Sequence, residues 1–529
     1  MGGSFMSSVT AVLIDTVSIQ KYVYSGNRLK ENIGASKIVT DIYKESLKSS
    51  LETILQHEVN LNKWEEKPEE LLIEDSNIDF EVGYIGGGNA LLLFKDQAVV
   101  KEFIKEWTRN LLLEAPSLNT AFAVSKFNLD NFQKEMNDLH KKLEMNKSKY
   151  FSQTFLPKHG ITADCRYSGL SCENYYHPSE EEKGTYISSA SYVKNTILDV
   201  DDVKQDVEQA SKGRFTCTTN IDSIGQTKGQ NHIAIVYLDG NSMGEHFKLS
   251  KSLIQTRKLS KRLKDIMESV YKEFVNYVIG QMGFFLNKDS GFEIKQEDGK
   301  YIIPFRPILR EGDDITFITD GRLGIPFTEK YLELMSKKML LKDRRISACA
   351  GVAITKTKYP FFRGYKLAEE LCQSSKVKSR KEKDTSWLDF HVAYGGFSGT
   401  LSEIRKRKYH TKAGLLHFGP YLVASNDLSN EKNIQHLKNG IGIFMKQEKW
   451  PRSKVKEFRE CLTLGEIASE YFREEAKLKG RKLYDFKETG KGYSTNIWQN
   501  GFTPYFDMIE LLELYPKHFL NKGQVNSVE

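Results

Sequence analysis

The sequence predicts an α+β protein built on a β-α-β-β-α-β unit that occurs twice, and three observations carry that expectation. The first is a hairpin tip with adjacent carboxylates, Arg310-Glu311-Gly312-Asp313-Asp314-Ile315-Thr316-Phe317. The second is the apolar run His232 to Leu238, which delivers Asp239 at its carboxyl end. The third is the same order of elements near the amino end, at matching spacing: Asp15 precedes Asn89 by 74 residues, and Asp239 precedes Asp314 by 75.

Each element has its own signal. In the first copy, Val9 to Ile14 is a continuous apolar run ending in Asp15, the mark of a buried strand. A helical pattern covers Arg28 to Gln56, and strands Phe80–Tyr84 and Ala90–Phe94 flank the tip Gly86-Gly87-Gly88-Asn89. A helix over Gln97–Leu113 and a strand over Thr120–Ser125 complete the unit, assigned to residues 9–130. In the second copy, the strand ending at Asp239 leads to a helix over Lys251–Phe285. Hairpin strands Phe305–Leu309 and Ile315–Thr319, a helix over Phe327–Leu341, a strand over Ile346–Thr355 and a helix over Gly364–Lys378 follow, within residues 230–385. This order is the ferredoxin-like arrangement. Residues 131–229 read as a polar, loop-rich insertion, and 386–529 as a mainly helical accessory domain with helices at Phe472–Lys482 and Asp507–Leu514.

The chemistry is concentrated in the second copy. Adjacent aspartates at a turn repel each other unless a divalent cation, which prefers hard oxygen ligands, sits between them. Asp239 supplies a third carboxylate, and three on this frame match a two-metal site for in-line attack at phosphorus. The loop Gly240-Asn241-Ser242-Met243-Gly244 opens a helix, whose free N–H groups can take phosphate oxygens; the plainer reading is a strand-to-helix junction with Asp239 as cap. The first copy has Gly-Gly-Asn where the second has Gly-Asp-Asp, so it lacks hairpin carboxylates and reads as degenerate.

Paired units of this kind, the first inactive and the second carrying Gly312-Asp313-Asp314, resemble the large polymerase-cyclase subunit of type III CRISPR effector complexes, whose units are called palm domains. Ser18 to Tyr24, Asn27-Arg28-Leu29 and Gly34-Ala35-Ser36 are similar to that family's first palm; Tyr237 to Gly244, Gly312 to Ile315, and Ala368 to Leu371 with Lys376 are similar to its second. The similarity spans roughly residues 9 to 385. Diguanylate and class III nucleotidyl cyclases share the palm more distantly. The resemblance implies condensation of nucleoside triphosphates, usually ATP, into short cyclic oligonucleotide signals in antiviral defence. It also implies Mg²⁺ or Mn²⁺ on Asp239, Asp313 and Asp314, a triphosphate held by Gly240 to Gly244, Gly312 and Lys376, and RNA or protein partners. Two departures stand out: Glu311 replaces a glycine of the family's Gly-Gly-Asp-Asp, and no His-Asp dipeptide of the family's nuclease domain occurs.

Other features leave two readings open. Cys165, Cys172, His177 and Cys217 are zinc-ligand types, and the family often has zinc in this region, but their spacing is not a recognised finger, and incidental cysteines in a loop-rich insertion are the preferred reading. Lys376 is either a triphosphate contact or a basic helix end suited to the helix dipole. The runs Arg405–Lys412 and Lys446–Arg459 either track a nucleic-acid backbone or form solvated helix faces.

Composition sets outer bounds. A 39% hydrophobic and 11% aromatic content over 529 residues supports several folded cores and excludes disorder. A net charge of +7, spread along the chain, permits nucleotide or RNA contact without indicating it. No apolar stretch is long enough to span a bilayer, and Met1 to Phe5 lacks the marks of a signal peptide. Residues 1–8 read as disordered or as a cloning remnant ahead of a second start at Met6, and the six scattered cysteines as reduced thiols of a cytoplasmic protein. The leading expectation is a metal-dependent nucleotidyltransferase. The alternative is a catalytically silent nucleotide- or RNA-binding scaffold of a defence complex.

Overall fold

The computed structural model describes residues 9–75, 77–149, 160–178, 183–197, 201–227, 229–341, 344–395 and 399–520. They form two compact units of mixed α and β structure. Residues 1–8, the expected leader, lie outside the described residues.

In the first unit, β1 (Val9–Val17) leads through the short helix α1 (Ile19–Val23) into α2 (Leu29–Asp41), which continues through a π turn into α3 (Leu47–Leu55). Strands β2 (Phe80–Gly86) and β3 (Asn89–Phe94) form the hairpin; helix α4 (Gln97–Glu114) and β4 (Asn119–Phe127) follow. The sheet runs β2-β3-β1-β4, antiparallel throughout. Helix α4 starts where the Asp96 side chain accepts from the Ala98 N–H, and it buries Val100, Phe103, Trp107 and Leu111 at helical spacing. Arg257, which belongs to this unit, is wholly buried, donating to Glu81 at 2.7 Å and to the carbonyls of Gly83 and Glu70 at 2.8 Å each.

The sequence reading ends this unit at residue 130, and the structure extends it. Helix α5 (Phe132–Lys147) packs Phe132, Met136, Leu139 and Leu143 into the same core as Val9, Ala11 and Leu13 of β1. Its apolar positions recur only every third or fourth residue among many lysines and glutamates, so composition alone reads it as part of the polar insertion. Further along, Lys194 is buried, donating to the Tyr22 carbonyl and to the Ser25 hydroxyl at 2.9 Å each.

In the second unit, β5 (His232–Gly240) lies at the centre of a six-stranded sheet. Next along the chain come α6 (Met243–Lys248), α7 (Leu253–Gly280), β6 (Phe305–Glu311), β7 (Asp314–Asp320), α8 (Gly324–Ser336), β8 (Ala348–Lys356), α9 (Phe361–Ser379) and β9 (Ser386–Val392), of which residues 242–269 and 308–314 group with the first unit. With β10 (Tyr421–Val423) the order is β6-β7-β5-β8-β9-β10. Strand β5 is antiparallel to β7 and β8, and every residue from Ile233 to Leu238 is buried, on both faces of the strand, which explains the unbroken apolar run. Phe274 of α7 packs on Phe305, Phe317, Phe327 and Tyr331 with ring centroids 5.0 to 6.1 Å away. Helix α9 lies so close to β8 that a Cβ on Gly351 would sit 1.9 Å from the Ala368 carbonyl oxygen.

The expected boundary at 385 also moves, because β9 is parallel to β8 and extends the sheet. Asp389 and His391 interrupt its apolar pattern, which hides it as a strand. Both are buried.

The carboxyl-terminal part is mainly helical, with α10 (Leu401–Lys408), α11 (Ile434–Phe444), α12 (Arg452–Leu464), α13 (Glu466–Leu478) and α14 (Tyr505–Glu510). Phe458 and Phe472 stack at 4.9 Å between α12 and α13. A buried charge network ties α10 and α14 to the sheet. Arg405 donates to both Asp389 oxygens at 2.8 and 2.9 Å, His417 bridges Asp389 at 2.7 Å and Asp507 at 3.1 Å, and Tyr421 donates to Asp507 at 2.5 Å. Arg405 therefore belongs to the interior, not to a basic surface run. No described helix is long and apolar enough to cross a membrane.

Candidate active site

Asp239 is the penultimate residue of β5, and Leu238 pairs with Ile315 of β7. The next residue outward on each strand is therefore Asp239 on one and Asp314 on the other, and Asp313 follows at the hairpin tip. Gly312 sits at φ 58°, the left-handed conformation that favours glycine, and this lets the two strands turn. Asp239, Asp313 and Asp314 each offer an oxygen, and these oxygens all lie within 4.8 Å of one another. All three residues are half-buried. Among the described residues this is the one cluster of three metal-ligating groups.

The carboxylates need positive charge, and the chain itself supplies some. Lys376 of α9 forms an ion pair with Asp239 Oδ2, both side chains less than a fifth exposed. The Tyr237 hydroxyl approaches the same oxygen at 3.5 Å. The sequence points to Lys376 as a triphosphate contact; in the structure its ammonium sits on the carboxylate.

The first unit repeats this arrangement. Asp15 occupies the corresponding place on β1 and pairs with Lys147 of α5 at 2.8 Å, from the helix that follows the last strand just as α9 follows β8. Burial raises the Asp15 pKa, against the pull of Lys147. Ser18 and Ser242 each stand three residues after their aspartate and share the left-handed conformation, φ 56° and 58°. That geometry is uncommon for a residue with a Cβ, so its recurrence marks a true structural repeat. Lys147 escaped the sequence reading because no motif surrounds it. The spacing of Lys376 from Asp239 could not find it, since the two units differ in length there.

Around the second aspartate, the loop Gly240 to Gly244 divides its tasks. Asn241 braces the strand end, its side-chain amide donating to Ser347 Oγ at 3.0 Å and to the Thr385 carbonyl at 3.1 Å. Met243 is buried, whereas the space beside Gly244 is open. Glu311 does not join the three aspartates. It reaches the Thr40 hydroxyl of α2 at 3.5 Å, and burial pushes its carboxyl up to about 7. The glycine that this position has in the resembling family is thus replaced by a side chain that anchors the hairpin.

The zinc expectation is not met among the described residues. Cys217 is buried with Arg306 donating to its sulfur at 2.8 Å, Cys172 contacts the Tyr186 carbonyl at 3.3 Å, and the His177 ring packs edge-on to Tyr175 at 5.0 Å. Cys165 lies near the Ser191 hydroxyl at 3.7 Å. These four do not gather around one point, and all six cysteines are free thiols. Packing of the insertion explains where they sit.

No protein-family profile matches the sequence, and no curated protein matches it either. Solved structures do. The chain superposes on Csm1 in a Csm1–Csm4 cassette crystallised with pppApA, at a TM-score of 0.52 and 13% identity, over 96% of this chain and 70% of that one. The fold is that of Csm1. A Csm1–Csm4 subcomplex of the type III-A CRISPR-Csm interference complex aligns at a TM-score of 0.49 and 13% identity, over 96% of this chain and 70% of the other. Csm1 from T.onnurineus aligns at 0.45 and 12% identity, over 97% and 69%. The likeness expected from Gly312-Asp313-Asp314 and its surroundings is therefore found in three dimensions as well, at 13% sequence identity.

Proposed function

We propose that this chain is a metal-dependent nucleotidyltransferase, with two ferredoxin-like palm units of which the second is active. It joins nucleoside triphosphates, ATP foremost, into short or cyclic oligonucleotides in prokaryotic antiviral defence. The observation that carries the reading is the convergence of Asp239, Asp313 and Asp314 with an ammonium already paired to one of them. Three carboxylates this close, needing a cation even from the chain itself, fit Mg²⁺ or Mn²⁺ by the chemistry of the donor set. When bound, such ions favour attack of a ribose 3′-hydroxyl on an α-phosphorus and stabilise the departing pyrophosphate.

The chain's own residues do the rest. Lys376 leaves Asp239 and meets the triphosphate, so that one cation serves the empty site and the loaded one. The backbone at Gly244, open on its outer side, and Gly312 are placed to approach phosphate closely. Tyr237 keeps the Asp239 oxygen oriented. Adenine as base is supported by the pppApA held by the Csm1–Csm4 cassette, and that cassette's composition supports a protein partner in a defence assembly. RNA is a further proposed partner.

The test is incubation of the protein with each NTP and Mg²⁺ or Mn²⁺, with and without RNA, followed by mass spectrometry. Oligonucleotide products with pyrophosphate are expected from the wild type and none from Asp313→Asn with Asp314→Asn. Absence of pyrophosphate from every NTP mixture would leave the scaffold reading in its place.

A further inference from the structure

Four small polar side chains of the first unit meet in the insertion: Cys165, Ser168, Ser188 and Ser191. The Cys165 thiol donates to Ser191 Oγ at 3.7 Å, and the Ser168 and Ser188 hydroxyls lie 2.8 Å apart. Ser188 Oγ also accepts from the Ser191 N–H at 3.3 Å, capping the helix Ser189–Thr196, and the Ser191 hydroxyl donates to the Glu31 carboxylate. Cys165, Ser188 and Ser191 are buried.

Their order along the chain is as regular as their meeting. Cys165 and Ser168 enclose two residues, Ser188 and Ser191 enclose two, and 19 residues (169 to 187) separate the pairs. Two cysteine pairs at that spacing are the signature of a four-thiolate zinc site. The backbone agrees. The Cys165 carbonyl accepts from the Gly169 N–H at 2.8 Å, the Cys165 N–H donates to the Leu170 carbonyl at 2.7 Å, and Gly169 turns the chain at φ 72°. This tight turn brings donors to the sulfur. Burial raises the Cys165 thiol, but the Ser168 hydroxyl and the N–H groups of Ser188, Ser168 and Tyr167 outweigh it and bring the thiol down to about 7. Donors of this kind are what a metal-bound ligand needs around it. Serine hydroxyls stay protonated and neutral, however, so one thiol and three alcohols do not make a zinc site. No Asp, Glu or His completes a set of three with Cys165 among the described residues.

We infer that this cluster is a four-cysteine zinc site converted into a metal-free clasp. Ser168, Ser188 and Ser191 stand at the positions of three thiolates, and hydrogen bonds among the four tie the 163–172 turn to the helix where a metal would. The zinc implied by the family resemblance has no ligand set here, and the departure is confined to three exchanges of sulfur for oxygen. The chain keeps the cage, holds it shut without zinc, and regains a zinc site when three thiols are restored.

Co²⁺ binding to the full, zinc-free chain tests this, read by the intense near-ultraviolet band of thiolate-bound Co²⁺, which carboxylate sites lack. The wild type should show no such band. Ser168→Cys with Ser188→Cys and Ser191→Cys should bind one Co²⁺ per chain through thiolates, and Zn²⁺ should displace it. The variant is purified from zinc-supplemented cells and then exchanged into Co²⁺, so that metal-dependent folding does not hide the site. Moving one thiol by a residue, with Ser189→Cys in place of Ser188→Cys, should weaken binding at least about tenfold. A thiolate band in the wild type, none in the triple variant, or equal affinity in the shifted variant would each overturn the inference.

Discussion

Replacing Lys376 by methionine keeps the length of the side chain and removes its charge. In the structure the ammonium pairs with Asp239, with exposures of 18% and 19% for the two side chains. Unit charges about 4 Å apart interact by roughly 4 kcal/mol at the effective dielectric of about 20 that suits such positions. Most of this is offset by the solvation each group recovers when the pair opens. A net 1.4 to 2.8 kcal/mol is a reasonable remainder, which corresponds to about 10- to 100-fold. A divalent ion entering the wild-type site must displace that ammonium, so Lys376→Met should tighten Mn²⁺ binding by this factor. The same substitution removes a cation from the triphosphate and should lower product formation by about 10²-fold. Mn²⁺ titration followed by electron paramagnetic resonance, beside an NTP turnover assay, reads both effects. If Mn²⁺ affinity stays the same or weakens, the competition between lysine and metal is refuted, whatever happens to turnover.

Further outcomes follow from the buried charges and the hairpin. Arg257→Met strands the Glu81 carboxylate, 5% exposed, beside Gly83 and should cost about 3 to 5 kcal/mol, seen as a lower melting temperature in calorimetry. Glu311→Gly should leave metal binding intact, because Glu311 faces Thr40, and should loosen the hairpin tip, seen as faster amide exchange over residues 310–314. Stability of the carboxyl-terminal part should fall as pH rises from about 5 to 8. Burial raises Glu510 to about 7, so the folded state pays to ionise it above its unfolded value near 4.3. The His417 pKa is also raised, Asp507 and Asp389 overcoming burial and Arg405, so its contribution is complete below about 6.5 and is lost above. Glu510→Gln should flatten the slope between pH 5 and 7, and a denaturant melt unchanged by that substitution would contradict the assignment.

How much was legible in the sequence depended on whether the signal was local. The apolar run before Asp239 and the Gly312-Asp313-Asp314 tip lie within strands whose burial the residues themselves declare, so the three aspartates could be gathered from pattern alone. Lys376 could be singled out but not placed, since a lysine reaches several ångströms and its partner is chosen by tertiary packing. Strand β9 was hidden because Asp389 and His391 are satisfied by Arg405, His417 and their neighbours, partners that only the fold supplies. Arg405 was misread for the same reason, as a surface charge instead of the counter-ion of a buried acid. The cysteines show the converse: suitable ligand types at long separation imply a metal only if the chain folds them together, and among the described residues it does not.

The absent clearance at Gly351 gives α9 a mechanical character. With the Ala368 carbonyl pressed against β8, this helix can neither slide nor roll on the sheet without lifting away from it. Lys376 stands eight residues beyond Ala368, roughly 12 Å along the same axis. The helix is therefore pinned at Gly351, and that contact sets the height above the sheet at which the Lys376 ammonium meets Asp239.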